Sequence, residues 1–570
     1  MAIPVEQQIF ACIERKESFV LDAGAGSGKT WTLVQALNYL IETKSKELKN
    51  KSQQIVCITY TNVAKNEIIE RIEHNDLVKV YTIHDFLWEC IKSYQKELKI
   101  KLLELIEGKN SKETDKLVGY TARAIRSREA SEQKIAKYQE AITALNSDGD
   151  IKISYENFQK YKEGKFSHDE LIIIAEKMFS SYPKIGKIIT DSYPIILVDE
   201  YQDTQKETIQ ILLNYLVKFE NFIVGFFGDK VQQIYDKGVG EIPPEYGLVR
   251  IQKTENYRSS KEVIELLNKL RSDIRQYQPP QNKRTGRIDF YYFLNPTEFN
   301  ANDFIQSNCK GRWPIYSIEN AKVLYLTHRF IAKEKQYEEL LQLYTTMNKR
   351  DCLIKNEDNR GFCPFADFLF DLEGLVDLYI NKKIQRLLKN VFVKISSFGS
   401  KKQLEDLMKE IVQIRKTKKI GELISFALTR QLLPESDRMK NYDFGDTEKK
   451  EFHDQLMAIE YPQFMRLYQV QQENTPFSTK HNTKGDEFDN VLVIIDDRAW
   501  SQNYNFNDYF SSNMENPERY KRTKNLFYVV CSRTKENLAV VCTSELAPVA
   551  TTQIKEWFGE ENYFEISRNP

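Results

Sequence analysis

A glycine-rich segment near the beginning of the chain has the residue types that bind phosphate groups. It reads Ala23-Gly24-Ala25-Gly26-Ser27-Gly28-Lys29-Thr30 and lies between a short apolar run and a helix-favouring stretch. Glycines let backbone N–H groups turn inward, and the N-terminus of the following helix adds positive potential. Lys29 can reach the terminal phosphates of a nucleotide, and the Thr30 hydroxyl can bind Mg²⁺. The segment predicts a nucleoside-triphosphate site, with alanine at position 23 where the strict pattern has glycine.

Two adjacent carboxylates follow a second apolar run. Residues 195–198 are Ile-Ile-Leu-Val, and Asp199 and Glu200 come directly after them. Asp199 could hold Mg²⁺, and Glu200 could orient and deprotonate an attacking water molecule. Strands that end in acidic residues are common, so this interpretation depends on the phosphate-binding segment upstream. Together the two segments predict a site that hydrolyses a nucleoside triphosphate.

The charge balance restricts how the chain could bind nucleic acid. Its 570 residues are enough for three or four domains at roughly 100–200 residues each. Lys and Arg number 82, as do Asp and Glu, which gives a net charge of +0. A general polycation is therefore excluded, and any DNA or RNA must be bound in a local groove.

The cysteines and the N-terminus indicate where the protein acts. Eight cysteines are scattered without a C-x-x-C pair, which argues against zinc or iron–sulfur sites and favours reduced thiols. The N-terminus lacks a basic region followed by an apolar stretch, so no signal peptide is expected. No uncharged apolar run approaches membrane-spanning length. These features predict a cytoplasmic protein that has no membrane partner.

Short apolar runs separated by helix-favouring segments indicate the fold class. Strand-like runs occur at residues 19–21, 55–59, 195–198, 222–227 and 491–495, with two more at 323–326 and 538–542. Continuous apolar strands between helices are typical of buried parallel sheets with helices on both faces. Two α/β lobes are the simplest arrangement. Charged, helix-favouring stretches at about 87–187 and 347–471 predict a helical insertion in each lobe.

The sequence around the paired carboxylates resembles a known family. Val198-Asp199-Glu200-Tyr201-Gln202-Asp203 is similar to the DExx box of superfamily 1A helicases, the UvrD, PcrA and Rep group. Segments similar to the family's other motifs follow in the family's order. They are residues 60–62 (Ia), 82–86 (Ib), 228–235 (III), 256–259 (IV), 479–488 (V) and 528–533 (VI). Any one of these matches is weak, but the ordered set is not accidental.

The resemblance implies an α/β fold of two RecA-like P-loop lobes, each with a mainly helical insertion. The boundaries it implies are residues 1–86 and 186–268 for the first lobe and 87–185 for its insertion. The second lobe would comprise residues 269–346 and 472–570, with its insertion at 347–471. ATP and Mg²⁺ are the implied substrate and cofactor.

The resemblance also assigns roles in the ATP site. Charge builds on phosphoryl oxygens during transfer, and guanidinium groups neutralise it. The implied catalytic residues are Lys29, Asp199, Glu200, Gln232, Arg258 and Arg533. The implied nucleotide contacts are Gln7, Ala23, Gly24, Ala25, Gly26, Ser27, Gly28, Lys29, Thr30 and Glu487, with Thr30 and Asp199 on the metal. Gln7 would read adenine, Glu487 would face the ribose, and Gln232 would couple the γ-phosphate to DNA.

Contacts to DNA are implied by the same motifs, because aromatic side chains stack on bases of any identity. The implied DNA-binding residues are Tyr60, Thr61, Asn62, His84, Tyr235, Tyr257 and His481. One departure from the family lies after Tyr235, where residues 236–240 read Asp-Lys-Gly-Val-Gly instead of Arg-Trp-Arg-Gly. A stacking tryptophan is thereby lost, which bears on unwinding and not on ATP hydrolysis.

The implied function is an ATP-dependent DNA translocase or helicase with 3′–5′ polarity, acting on single-stranded or tailed duplex DNA. Roughly 28 residues follow Cys542, too few for a fused nuclease domain. This architecture resembles the helicase subunits of Gabija-type anti-phage systems, which implies a partner nuclease of the OLD family with a TOPRIM domain. Two alternatives stay open: a regulatory subunit that senses ATP and DNA ends with little unwinding, and a stand-alone DNA repair helicase.

Overall fold

A computed structural model provides the fold of the chain. It describes residues 3–120, 125–147, 151–156, 159–233, 238–293, 299, 301–314, 321–325, 332, 336–347, 350–353, 363–392, 398–472, 487–497 and 504–566. The chain divides into two compact units. The first comprises Met1–Gly286 and Lys521–Glu536, and the second comprises Arg287–Tyr520 and Asn537–Pro570.

The first unit is built on a six-stranded sheet in the order β3-β2-β6-β7-β1-β8. The strands are β1 (Phe19–Ala23), β2 (Ile55–Thr59), β3 (Val78–Thr82), β6 (Ile195–Asp199), β7 (Ile223–Gly228) and β8 (Val249–Lys253). All neighbours pair in parallel. The four inner strands are buried at every residue, as continuous apolar runs predict, which confirms the parallel sheet. The edge strands β3 and β8 alternate between buried and more exposed residues and were not predicted.

Helices cover both faces of this sheet. They are α1 (Val5–Arg15), α2 (Lys29–Asn50), α3 (Asn62–Arg71), α4 (Ile83–Ile91), α5 (Gln95–Gly119), α6 (Ile125–Asn146), α7 (His168–Ser181), α8 (Pro183–Ser192), α9 (Lys206–Gln210) and α10 (Lys261–Leu270). Side chains of α1, α2 and α3 form the core on one face. Side chains of α4–α9 form the core on the other face. The first helical insertion therefore shares a continuous core with the sheet, and it carries a small parallel pair, β4 (Ser154–Tyr155) with β5 (Lys165–Phe166).

The second unit contains a five-stranded sheet in the order β10-β11-β12-β9-β13. The strands are β9 (Arg287–Tyr292), β10 (Lys322–Tyr325), β11 (Phe488–Ile495), β12 (Thr534–Cys542) and β13 (Tyr563–Glu565). The pairs β10 with β11, β12 with β9 and β13 with β9 are parallel. The parallel strand pairs of both sheets, with their helices, confirm the predicted α/β class.

Helices make up most of the rest of the second unit where the structure describes it. They are α11 (Ala301–Phe304), α12 (Glu338–Thr346), α13 (Pro364–Ile380), α14 (Ile384–Asn390), α15 (Phe398–Ile414), α16 (Ile420–Thr429), α17 (Asp437–Lys440), α18 (Thr447–Ala458), α19 (Tyr461–Gln472), α20 (Phe506–Phe510) and α22 (Pro548–Phe558). Helix α21 (Pro517–Cys531) belongs to the first unit from Lys521 onward. None of the helices among the described residues is long and apolar enough to span a membrane.

One pair of cysteines departs from the expectation of reduced thiols. Cys352 and Cys363 form a disulfide in the second unit, with their Cα atoms 5.7 Å apart. The other six cysteines are free and buried. The expectation was wrong for this pair because the two cysteines are eleven positions apart in the sequence, and only the fold brings them together.

Packing around Gly225 in β7 gives a test of the sheet. A Cβ at this position would come within 2.4 Å of the Phe19 ring and 2.9 Å of the Leu197 side chain. We expect Gly225→Ala to destabilise the first unit by about 1–3 kcal/mol because the core would be overpacked. Gly108→Ala is the matched control, since nothing lies within 4 Å of its Cβ position in α5. That change should be neutral or stabilise by up to about 1 kcal/mol. Urea unfolding measures both, and equal midpoints would contradict this packing.

Candidate nucleotide-binding and hydrolysis site

The phosphate-binding segment forms the turn between β1 and α2. Gly26 and Gly28 have φ angles of 72° and 78°, which glycine adopts most readily. Gly28 caps α2, so the helix begins at Lys29. Ala23 is the last residue of β1 and is fully buried there. Since a strand does not need a positive φ, alanine fits this position.

Polar atoms and bare backbone in this turn fit a phosphate ligand. The Ser27 hydroxyl is buried and has no hydrogen-bond partner in the described part of the chain. A Cβ on Gly24 or Gly26 would fill the turn, since it would come within 2.4 Å of Gln276 or 2.6 Å of Asn256. Exposed N–H groups at a helix N-terminus attract anions. The turn therefore has the shape and donors of a phosphate cradle.

Lys29 and Glu200 meet directly at the carboxyl edge of the sheet. The Lys29 Nζ atom donates to Glu200 Oε2 at 2.6 Å, and the two side chains are 10% and 22% exposed. Burial by itself lowers the pKa of Lys29, but the carboxylates of Glu200, Asp199 and Asp229 outweigh burial and raise it above its usual value. The ammonium therefore stays charged although it is largely removed from water.

Glu200 makes this contact from an unusual backbone conformation. Its φ and ψ are 51° and 45°, a left-handed conformation that is uncommon for a residue other than glycine. Gln202, which is fully buried, donates from Nε2 to Glu200 Oε2 at 2.6 Å. The Gln202 Oε1 atom accepts the backbone N–H of Asp229 at 3.1 Å. Gln202 thus joins the DExx segment to motif III. Sequence analysis did not predict this role, although the position of Gln202 within the DExx motif could have indicated it.

Asp199 ends β6 and is 4% exposed. Its Oδ1 atom accepts the backbone N–H of Glu200 at 3.0 Å. The carboxylate of Asp199 and the hydroxyl of Thr30 are oxygen ligands of the kind that Mg²⁺ prefers. Among the described residues, no group of three or more His, Cys, Asp or Glu side chains could hold a metal ion.

Motif III and motif VI meet at Gln232. The Gln232 Nε2 atom donates to Asp229 Oδ2 at 2.7 Å, and its Oε1 atom accepts from the Arg533 guanidinium at 3.2 Å. Gln232 and Arg533 are 6% and 2% exposed. Residues 521–536, which carry Arg533, pack within the first unit. The structure therefore brings these two catalytic candidates into one hydrogen-bonded set.

Motif IV lies against the phosphate turn. The Tyr257 backbone N–H donates to the Gly26 carbonyl at 2.9 Å, and the Arg258 N–H donates to Asn256 Oδ1 at 3.0 Å. The Arg258 side chain donates to the Ser532 carbonyl at 3.0 Å. The segments that carry Arg258 and Arg533 thus touch each other although they are far apart in the sequence.

Sequence analysis did not single out three residues beside the turn. The Gln276 side chain donates to the Ala25 carbonyl at 2.9 Å. Trp31 is 50% exposed in the first turn of α2, and the Lys253 ammonium lies 5.3 Å from its ring centre. Arg271 is completely buried and contacts Asp229, Asp273 and Tyr528. Trp31 could have been noticed as an aromatic residue next to Thr30, whereas nothing local in the sequence marks Gln276 or Arg271.

Two of the remaining nucleotide candidates are exposed. Gln7 is exposed on α1, and the neighbouring Gln8 side chain donates to the Ile3 carbonyl at 2.8 Å. Glu487 is exposed directly before β11 in the second unit. Their roles stay predictions.

The DNA candidates of motifs Ia and Ib lie at the carboxyl ends of the neighbouring strands β2 and β3. Tyr60 is half-buried, Thr61 caps α3 by accepting the Ala64 N–H at 3.2 Å, and Asn62 is exposed. His84 is half-buried in the first turn of α4, with its ring 4.8 Å from that of His168. Tyr257 is 44% exposed beside the phosphate turn. Tyr235 and His481 lie outside the described residues.

Comparison with known proteins agrees with this geometry. Residues 4–237 match the UvrD/REP helicase N-terminal domain. The first part of the chain is thus similar to the N-terminal domain of UvrD-like helicases. It is 29% identical to the Gabija protein GajB of Bacillus cereus over 97% of this chain and 96% of that protein. It is 25% identical to the ATP-dependent DNA helicase PcrA of Bacillus subtilis over 53% of this chain and 44% of that protein.

A second PcrA shows the same extent of similarity. The Staphylococcus aureus protein is 24% identical over 50% of this chain and 42% of its own length. The chain therefore matches less than half of either PcrA but nearly all of GajB. The family resemblance seen in the motifs is confirmed.

The turn geometry predicts the effect of adding one methyl group. We expect Gly26→Ala to weaken ATP binding at least about tenfold, because its Cβ would lie 2.6 Å from Asn256 and 2.7 Å from Arg258. Gly247→Ala is the control, since Gly247 also has a positive φ, of 65°, but nothing lies within 4 Å of its Cβ position. Titration with a fluorescent ATP analogue measures both. Equal loss in the two variants would point to backbone strain and not to the cradle.

Proposed function

We propose that this chain is a DNA-stimulated ATPase that moves along single-stranded DNA with 3′–5′ polarity and separates tailed duplexes. The observation that carries the proposal is a continuous line of hydrogen bonds across the site. It runs from Lys29 through Glu200, Gln202, Asp229 and Gln232 to Arg533. A phosphate-binding cation, a base for water and a second cation are thereby linked, which is the set that phosphoryl transfer to water requires.

In the proposed reaction, Lys29 exchanges Glu200 for the terminal phosphates of ATP. The contact of 2.6 Å between them means that phosphate competes with a carboxylate for the same ammonium. Once released, Glu200 can accept a proton from the attacking water, while Gln202 keeps the carboxylate in place. Thr30 and Asp199 would hold Mg²⁺, which supplies charge neutralisation on the phosphate oxygens when bound. Arg258 and Arg533 would face the oxygens on which charge develops.

Nucleotide recognition would involve the candidates beside the turn. Exposed Trp31 and Tyr257 offer ring faces for a base, while Gln7 and Glu487 remain the candidates for adenine and ribose. Tyr257 is 44% exposed and its backbone N–H holds it beside the turn, so its ring could contact the nucleotide as well as DNA.

The DNA track would run along the carboxyl ends of β2 and β3. Tyr60, Thr61, Asn62 and His84 lie there, in a chain whose overall charge is +0. Without a general positive field, local stacking and polar contacts must hold the strand. Gln232 would couple the presence of the γ-phosphate to the conformation of these DNA-binding residues. Tyr235 and His481 stay candidate DNA contacts.

A role in anti-phage defence is supported by the similarity to a Gabija protein over nearly the whole length of both chains. We propose that the protein acts in the cytoplasm with a partner nuclease of the OLD family that carries a TOPRIM domain. Co-purification with the product of a neighbouring nuclease gene tests this part. A stand-alone repair helicase is the outcome if no such nuclease binds.

A regulatory subunit with little unwinding is the second candidate function. The observation in its favour is the replacement of the Arg-Trp-Arg-Gly sequence after Tyr235 by Asp-Lys-Gly-Val-Gly, which removes one stacking side chain. Such a subunit would hydrolyse ATP on DNA ends and signal to the nuclease.

The roles of Lys29 and Glu200 can be separated by two substitutions. We expect Lys29→Ala to abolish ATP binding and hydrolysis. Glu200→Gln should keep ATP binding, since Lys29 is then free of its carboxylate partner, but lower hydrolysis at least about 100-fold because the base is lost. Steady-state ATPase assays and nucleotide titrations measure these effects. Glu220→Gln, an exposed carboxylate of the same unit, is the control. If Glu200→Gln hydrolysed ATP at the wild-type rate, Glu200 could not be the base.

Strand separation distinguishes the two candidate functions. We expect a duplex with a 3′ single-stranded tail to be unwound with ATP, and one with a 5′ tail or blunt ends to be unwound at least about tenfold more slowly. A gel assay with labelled duplexes measures this, and Lys29→Ala is the control. ATPase stimulation by DNA without strand separation would favour the regulatory subunit. Faster unwinding from a 5′ tail would contradict the proposed polarity.

A further inference from the structure

Arg271 lies outside the helicase motifs but forms buried ion pairs within the first unit. It follows the last residue of α10, and its side chain is completely buried. A buried guanidinium is costly unless carboxylates surround it. Asp229 of motif III, also completely buried, and Asp273 pair with it.

Every N–H of this guanidinium has an acceptor. Its Nη1 and Nη2 atoms donate to the two oxygens of Asp229, each at 3.1 Å. Its Nε and Nη2 atoms donate to the two oxygens of Asp273 at 2.8 and 3.0 Å. Its Nη1 atom also donates to the Tyr528 hydroxyl at 2.7 Å. These five contacts use all five donors of the group, so its orientation is fixed.

The contacts of Arg271 lead to the hydrolytic residues by two routes. Through Asp229 it reaches Gln232, whose amide then accepts from Arg533. Through the Tyr528 hydroxyl, which also accepts the Ala25 N–H at 3.4 Å, it reaches the phosphate turn. Without Arg271, Asp229 would be a buried carboxylate without its cation, and the acceptor that orients the Gln232 amide would no longer be held.

We propose that Arg271 is a positioning residue for ATP hydrolysis, which holds Asp229 and Tyr528 so that Gln232, Arg533 and the phosphate turn keep their geometry. It does not touch the nucleotide itself. The inference deepens the proposed function and rests on it. A lysine cannot replace this arginine, because three donors on one atom cannot satisfy two carboxylates and a hydroxyl in a planar fork.

A double-mutant cycle with Gln232 tests this inference. We expect Arg271→Lys to lower kcat for DNA-stimulated ATP hydrolysis at least about tenfold, with KM for ATP changed less than about threefold, because misplaced groups cost rate more than binding. In a Gln232→Ala background, the same Arg271→Lys change should lower kcat by less than it does in the wild-type protein, since the route through Asp229 and Gln232 is already cut and only the route through Tyr528 remains. Exposed Arg275 provides the matched control, Arg275→Lys, with wild-type kinetics expected.

Other outcomes decide against the inference. Wild-type kcat in Arg271→Lys, or a full multiplicative loss in the double variant, would overturn it. Should Arg271→Lys fail to fold in thermal unfolding, Asp273→Asn replaces it. That change weakens two of the five contacts and leaves buried Asp229 intact, so a smaller drop in kcat is expected, and an unchanged kcat would overturn the inference. Failure of the proposed function would look different from failure of this inference. In that case the wild-type protein would show no ATP hydrolysis above the level of Lys29→Ala.

Discussion

The Lys29 ammonium and the Glu200 carboxylate meet at 2.6 Å, mostly out of contact with water. A charge in such a place persists only when opposite charges and hydrogen bonds compensate for lost hydration. Asp199 and Asp229 add to the field at Lys29, and Gln202 steadies Glu200. Much of the site follows from the need to balance these charges: Lys29 pairs with Glu200, and Arg271 pairs with Asp229 and Asp273.

The parallel sheet of the first unit supplies the places for those charges. Strands β1, β6 and β7 are neighbours or next neighbours, and their carboxyl ends carry the phosphate turn, the paired carboxylates and motif III. Because the strands are parallel, segments that are far apart in sequence emerge at one edge, where ligands bind in open α/β sheets. Buried apolar strands hold this edge rigidly, so small shifts of Lys29 or Glu200 are resisted by the whole core.

Motif residues and the inner strands could be predicted from the sequence because their signals are local. The four inner strands are continuous apolar runs, and the phosphate turn has its own glycine spacing. Edge strands β3 and β8 escaped prediction because their apolar and polar residues alternate, so neither forms the continuous apolar run that marks the inner strands. The Cys352–Cys363 disulfide and the shared core of the first insertion also escaped, since both depend on long-range packing.

The sequence by itself determined the chemistry: a phosphate-binding turn, a strand ending in Asp199 and Glu200, and arginines in family motifs. Only the tertiary structure decided which groups touch. It joined Gln202 to Asp229, Gln232 to Arg533, and Arg271 to all three of Asp229, Asp273 and Tyr528. The physical reason is that a local motif depends only on residue types and short spacings. Buried charges, in contrast, are compensated by side chains that can be hundreds of residues away in the sequence.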